Sequence, residues 1–105
     1  MTSIKTGVQI YLEIFDLIFL DTIVEKLDRK HNVQEYEVRE VLVRFPLIRF
    51  IEKGNRQNEN VYAAYGQTDS GRYLVVFLIY KEDGNALILS ARDMTNAERR
   101  KYQNN

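Results

Sequence analysis

The hydrophobic and polar positions along the chain change period several times, and each change marks an element. From Glu13 to Leu20 the sequence EIFDLIFL is apolar enough for a first strand, and it follows a polar start, Met1 to Gly7, that reads as frayed. From Asp21 the spacing becomes helical. Ile23, Val24, Leu27 and His31 recur on one side, Asp21 or Thr22 is placed to cap the start, and Asn32 suits a left-handed residue at the end. A second helix is predicted from about Gln34 to Arg44, with Val38, Val41, Leu42 and Phe45 as its apolar stripe. Glu35/Arg39 and Glu40/Arg44 are its i,i+4 pairs.

After Pro46, the single proline, the pattern becomes extended. Leu47 to Ile51 fits a short strand, and Glu52 to Asn60 a long polar turn. Three runs then follow, Val61 to Gln67, Arg72 to Tyr80 and Ala86 to Arg92, joined by Thr68-Asp69-Ser70-Gly71 and by Lys81-Glu82-Asp83-Gly84-Asn85. They read as an antiparallel meander. The middle run, RYLVVFLIY, is apolar at both parities, as a central strand covered on both faces requires. Thr95-Asn96-Ala97-Glu98 matches a capping box and opens a C-terminal helix through Tyr102. The expected fold is α+β: two N-terminal helices and a C-terminal helix packed on a small antiparallel sheet, in the order β-α-α-β-β-β-β-α. No repeat or linker divides the chain, so one domain over residues 1–105 is expected, with residues 1–12 as a frayed extension.

Composition narrows the chemistry. The 105 residues are 45% apolar and 29% charged, too apolar for a disordered chain and long enough for one core. Fifteen basic residues balance fifteen acidic ones, so no global positive field steers the protein to phosphate. That neutrality is a sum of unequal parts: the first 25 residues carry −3, residues 26–58 carry +3, and the remainder balances. There is no cysteine, which excludes disulfides, thiolate metal sites and a catalytic thiol and fits the cytoplasm. With His31 as the single histidine, no metal is expected. The apolar run from Ile14 to Leu20 is too short and too interrupted by Asp16 for a signal peptide or membrane span. Nucleophile–base pairs, phosphate-cradling glycine loops and cofactor motifs are absent, which argues against a small-molecule enzyme.

Strand parity sorts the remaining candidates. In Ala86 to Arg92 it groups Ile88, Ser90 and Arg92, bringing a guanidinium to a strand end beside a serine. Tyr65 and Gln67 share a face of their strand, and Arg72 and Tyr80 share a parity on the next. If these strand ends cluster, they form a patch of guanidinium, phenol and amide groups suited to phosphate binding and base stacking. Lys26 and Lys30, one helical turn apart, repel each other and would welcome an anion, although a solvated helix face explains them as well. His31 could transfer protons near neutral pH. Its plainer reading, from its place on the apolar stripe, is a packed, hydrogen-bonded structural histidine.

Three segments carry a family likeness: Lys26-Leu27-Asp28-Arg29-Lys30-His31-Asn32-Val33, Tyr65-Gly66-Gln67-Thr68-Asp69-Ser70-Gly71-Arg72-Tyr73-Leu74, and Leu89-Ser90-Ala91-Arg92-Asp93-Met94-Thr95 continuing to Glu98-Arg99-Arg100-Lys101-Tyr102. Together they resemble the BrnT family of bacterial toxins over about residues 13–102, the SARDMT…ERRxY ending being the most specific part. The resemblance implies a RelE-like fold, metal-independent RNA cleavage with inhibition of translation, and neutralisation by a BrnA-type antitoxin that carries a DNA-binding region. It also implies RNA as substrate, on or off the ribosome, and a homo- or hetero-oligomer. The family's lysine–histidine pair falls on Lys30 and His31, its hairpin arginine on Arg72 and its strand-end arginine on Arg92. Two positions depart from the family pattern. Gln67 stands where an arginine is usual, and the preceding strand lacks an arginine near Val61.

The leading expectation is an endoribonuclease that positions a phosphodiester for attack by its own 2′-hydroxyl. Arg92 and Arg72 would stabilise phosphoryl charge, Lys30 or His31 would move protons, and Lys26, Tyr65, Gln67, Tyr80 and Ser90 would contact RNA. The rival expectation is a catalytically weak or inactive binding module that pairs with an antitoxin.

Overall fold

A computed structural model of the chain describes residues 10–56 and 59–104, and every structural statement below concerns these. The expected frayed start, Met1 to Gly7, and part of the long turn after Glu52 lie outside them. The elements are β1 (Asp16–Ile18), α1 (Asp21–Lys26) continuing into a wider π-helical turn (Leu27–His31), α2 (Glu35–Val43), β2 (Leu47–Glu52), β3 (Asn60–Gln67), β4 (Tyr73–Tyr80), β5 (Asn85–Asp93) and α3 (Asn96–Gln103). The class is α+β, three helices on a five-stranded sheet of order β1-β5-β4-β3-β2. No helix among the described residues is long and apolar enough to cross a membrane.

The sheet is mixed, not antiparallel throughout. β2 to β5 form the meander, but β1 lies parallel to β5 at the edge, with Leu17 opposite Ala86. The chain leaves β1 through α1 and α2, which carry it across the inner face to β2 at the opposite edge, and β1 meets β5, the last strand, only through the tertiary fold. Gly84 permits the approach. It sits at φ +90 in the β4–β5 turn, a Cβ there would collide with the Phe15 ring, and its carbonyl accepts the Phe15 amide at 2.9 Å.

The inner face packs against α1, its π turn and α2. Leu27, Val38, Val41, Ile48, Leu74, Leu78, Ile88 and Ala91 are buried in one cluster there. Leu27 comes from the π turn, which ends as expected at Asn32, left-handed at φ 52 and ψ 44, with the Val33 amide bonding back to the Leu27 carbonyl at 3.1 Å. Two local expectations are corrected. The cap position of α1 is Leu20, with no side-chain cap, and Asp21 sits in the first turn. Phe45 does not join the α2 stripe: it is 91% exposed and left-handed at φ 52. Pro46 disfavours a helical Phe45, so the helix stops at Val43 and the ring turns outward.

The Glu35–Arg39 pair forms at 3.5 Å, whereas Glu40 and Arg44 turn to the β3–β4 hairpin. Arg44 pairs with Asp69 at 2.8 Å and Glu40 accepts the Asp69 amide at 3.0 Å. A bulge corrects the strand parity of β5. Leu78 lies opposite Ile88 but Phe77 lies opposite Ser90, so Leu89 is the extra residue. Ile88 and Ala91 therefore both point into the core, and Ser90 and Arg92 point to the opposite, outer face, away from Ile88. The bulge sets where Arg92 emerges.

Candidate functional site: the outer sheet face beneath α3

On the outer face the registers align Leu47, Tyr65, Val75 and Arg92 in one row across β2, β3, β4 and β5. The next row holds Arg49, Ala63, Phe77 and Ser90. α3 lies over the first row. Its capping box is formed as expected, with Thr95 accepting the Glu98 amide at 3.1 Å and Glu98 accepting the Thr95 amide at 2.8 Å. The helix reaches the sheet through Tyr73, whose ring takes an edge contact from Tyr102 at 6.0 Å and the Arg99 guanidinium at 4.0 Å.

Between α3 and the sheet is a cleft of about 140 Å³ lined by Leu47, Arg49, Tyr65, Glu98, Lys101 and Tyr102. Arg92 borders the same group. It holds Glu98 through a two-pronged contact, 2.8 and 3.0 Å, donates to the Asp93 carbonyl at 3.0 Å and lies 5.4 Å over the Phe77 ring. The bond from Arg92 holds the Glu98 carboxyl at about 2, well below its usual range, with the capping bonds adding to the effect. The same pair raises the Arg92 pKa. Burial, with the Glu98 charge adding, raises the Tyr65 phenol, while Arg49 and Arg92 pull the other way. Tyr65 thus stays protonated at neutral pH and has an O–H to offer a ligand. Arg49 and Lys101 make no ion pair among the described residues, so two uncommitted cations meet one phenol and one committed arginine.

The structure brings Arg92, Tyr65 and Ser90 to this face and leaves the other sequence candidates elsewhere. Arg72 has inner-face parity and lies at the end of the sheet, just after the Thr68–Gly71 turn closed by the Gly71 amide on the Thr68 carbonyl at 2.9 Å. All five of its N–H groups have acceptors. Nε bonds Asp93 at 2.8 Å, one terminal nitrogen the Asn32 carbonyl at 2.7 Å and Glu37 at 3.1 Å, the other the His31 carbonyl at 2.9 Å and Asp93 at 3.3 Å. Arg72 is therefore a clamp joining the end of α1, α2 and β5. The clamp lowers the Asp93 pKa, chiefly through this hydrogen bond.

His31 is half-buried beside this clamp, contributing its carbonyl, and its ring has no hydrogen bond among the described residues, against the expectation of a hydrogen-bonded histidine. Lys26 and Lys30 are exposed on the helix, away from the cleft. Gln67 points its amide at the Gly71 carbonyl, 3.1 Å away, within its own turn. Tyr80 donates to the Glu13 carbonyl at 2.7 Å at the far end of β4, roughly 26 Å from Arg72. The predicted single patch does not form: Arg92, Tyr65 and Ser90 share the outer face, Arg72 and His31 meet elsewhere, and Lys26, Lys30, Gln67 and Tyr80 lie apart from both.

Arg49, Lys101 and Tyr102 are the residues that strand and helix patterns alone did not single out. Alternation in LIRFI places Leu47 and Arg49 on one face, and Lys101 and Tyr102 follow Glu98 at i+3 and i+4. What spacing lacks is the pairing of β2 beside β3 and the angle of α3. No three His, Cys, Asp or Glu residues gather as a metal-binding group among the described residues. No protein-family model matches the chain and no curated protein matches it, so the functional reading rests on the residues themselves.

Proposed function

We propose that the protein is a RelE-like toxin that binds the RNA backbone on the outer sheet face and cleaves it without metal, by attack of a 2′-hydroxyl on the adjacent phosphorus. The observation that supports this most is the convergence of Arg49, Lys101, Tyr65 and Arg92 around one small cleft open to solvent. Guanidinium and ammonium groups there would neutralise charge developing on the phosphoryl oxygens. The Tyr65 phenol donates a hydrogen bond, and Tyr73 and Tyr102 offer ring faces and edges for bases. In this mechanism the 2′-hydroxyl gives its proton to solvent water as its oxygen forms the new P–O bond, the P–O5′ bond breaks, the 5′-oxygen takes a proton from solvent, and the products are a 2′,3′-cyclic phosphate and a 5′-hydroxyl. Within this reading the cognate partner is a BrnA-type antitoxin with a DNA-binding region.

The second reading, a binding module with weak or no catalysis, is favoured by a specific observation. Arg72 is saturated, Arg92 is paired, and Lys30 and His31 do not line the cleft. Of the cleft's groups, Glu98, held at about 2, is a weak base and Tyr65, raised, stays protonated, so neither is a good proton acceptor at neutral pH.

Incubation of the purified protein with a defined single-stranded RNA in EDTA, followed by end mapping, separates the two. The toxin reading expects cyclic-phosphate ends and a loss of about 10²–10³-fold in rate for Arg92→Ala. Bound but intact RNA, together with normal growth of a host expressing the protein without a partner, supports the binding module.

A further inference from the structure

Glu98 occupies the centre of the proposed RNA site. Its carboxylate is gripped by Arg92 at 2.8 and 3.0 Å and lines the same cleft as Arg49, Tyr65 and Lys101. A carboxylate held by a guanidinium fork has the shape and charge that a phosphate presents to the same fork. The helix that carries it is the least embedded of the three. α3 buries no residue, whereas the π turn of α1 buries Leu27 and α2 buries Val38 and Val41. Besides the Glu98–Arg92 fork, α3 touches the sheet through the Tyr102 edge, the Arg99 cation and a bond from Gln103 to the Tyr73 hydroxyl at 3.0 Å. These are polar and aromatic contacts at a solvent boundary, which open at low cost.

We propose that Glu98 is a built-in counter-ion for Arg92 and that an RNA phosphate displaces it, releasing α3 from the outer face. This rests on the RNA-binding reading above. Two of the five Arg92 N–H groups have no acceptor among the described residues, so an incoming phosphate can engage them before the carboxylate leaves. Arg49 and Lys101 hold that phosphate nearby during the exchange. The closed state thus holds the site's strongest guanidinium neutralised until a polyanion arrives. Tyr73, which α3 covers with Arg99 and Tyr102, is exposed in the same movement and becomes a platform for a base.

The test uses Glu98→Gln in the full chain, since glutamine preserves the capping box while removing the charge. The probe is a labelled 2′-O-methyl oligoribonucleotide, which lacks the attacking hydroxyl and reports binding alone by fluorescence anisotropy. Glu98→Gln is expected to bind it about three- to tenfold more tightly than wild type at low salt. Its logarithmic salt slope should steepen by up to about 0.7, because in wild type the released Glu98 carboxylate offsets part of the counter-ion effect of the Arg92–phosphate contact. Binding by wild type with unchanged affinity and slope in Glu98→Gln would overturn the counter-ion and leave the RNA reading standing. Absence of binding by both proteins would overturn both. A second measurement needs no variant: amide exchange across residues 96–103 of the wild type is expected to accelerate when the probe binds, and slowed exchange there would contradict the release of α3.

Discussion

Arg72 and Arg92 are both strand-end arginines, yet the chemistry of each is decided by how many of its donors are already satisfied. Arg72 joins two backbone carbonyls and two carboxylates, one of them Glu37, whose side chain is only 10% exposed. Arg72→Ala leaves that carboxylate without its cation, and we expect a loss of about 3 kcal/mol, or roughly 15 °C in Tm for a domain of this size. Arg72→Lys recovers only part of this, because an ammonium cannot reach four acceptors in one plane. Thermal melts of the two variants check it, and a Tm within a few degrees of wild type for Arg72→Ala contradicts the clamp. Phe45 offers the opposite case. It holds a left-handed φ of 52 with a ring that is 91% exposed, so it bears conformational strain with little burial in return. Phe45→Asn is expected to stabilise by about 0.5–1 kcal/mol, raising Tm by roughly 4 °C, since asparagine tolerates this conformation. A lower Tm would show that the ring makes a contact in solution that offsets the strain.

At the scale of elements, α3 is tied down by charge more than by burial, and its stability should follow pH. The Glu98 carboxyl sits at about 2 when folded against an ordinary 4.5, so its contribution is fully present above pH 4.5 and is lost as pH falls towards 2. Asp93, lowered by Arg72, acts in the same direction. Glu98→Gln should therefore be less stable than wild type at pH 7, and the gap should narrow steadily between pH 4.5 and pH 3. Urea midpoints across that range test this, and a constant gap contradicts it.

Much of the element pattern was legible in the chain because it is written locally. The Thr95–Glu98 capping box, the left-handed Asn32, the two hairpin turns and the doubly apolar β4 each follow from adjacent residues. The parallel pairing of β1 was not legible, since its partner β5 is the last strand of the chain and the approach depends on Gly84 admitting Phe15. Nor was the bulge at Leu89, because one extra residue in a run of LILSAR leaves no mark on composition but reverses the face of Ser90 and Arg92. The candidate site was legible as a set of residue types and not as a place. Arg92 and Tyr65 were identified as residues, but Arg92 was assigned to the face of Ile88 and meets Tyr65 only through the bulge, whereas Arg72, Tyr80, Lys30 and His31 were grouped with them by parity or motif and lie at other positions in the fold.

For the whole molecule, a net charge of zero conceals an uneven surface. The cleft on the outer face gathers Arg49, Arg92 and Lys101 around the carboxylate of Glu98, so attraction to a polyanion is local and short in range. Binding should accordingly be weak in the absence of other contacts and strongly dependent on salt. A face of this kind is suited to RNA presented by a larger assembly, and equally to retention as a docking surface once catalysis is lost. Both possibilities place the polyanion on the same side of the sheet. The most direct measurement is amide and side-chain NMR of the labelled protein titrated with the 2′-O-methyl oligoribonucleotide at low salt. The expected result is perturbation centred on Arg49, Tyr65, Arg92 and residues 96–103, with little change at Lys26, Lys30 and His31. Perturbation centred on Lys26, Lys30 and His31, with the outer face silent, would contradict it.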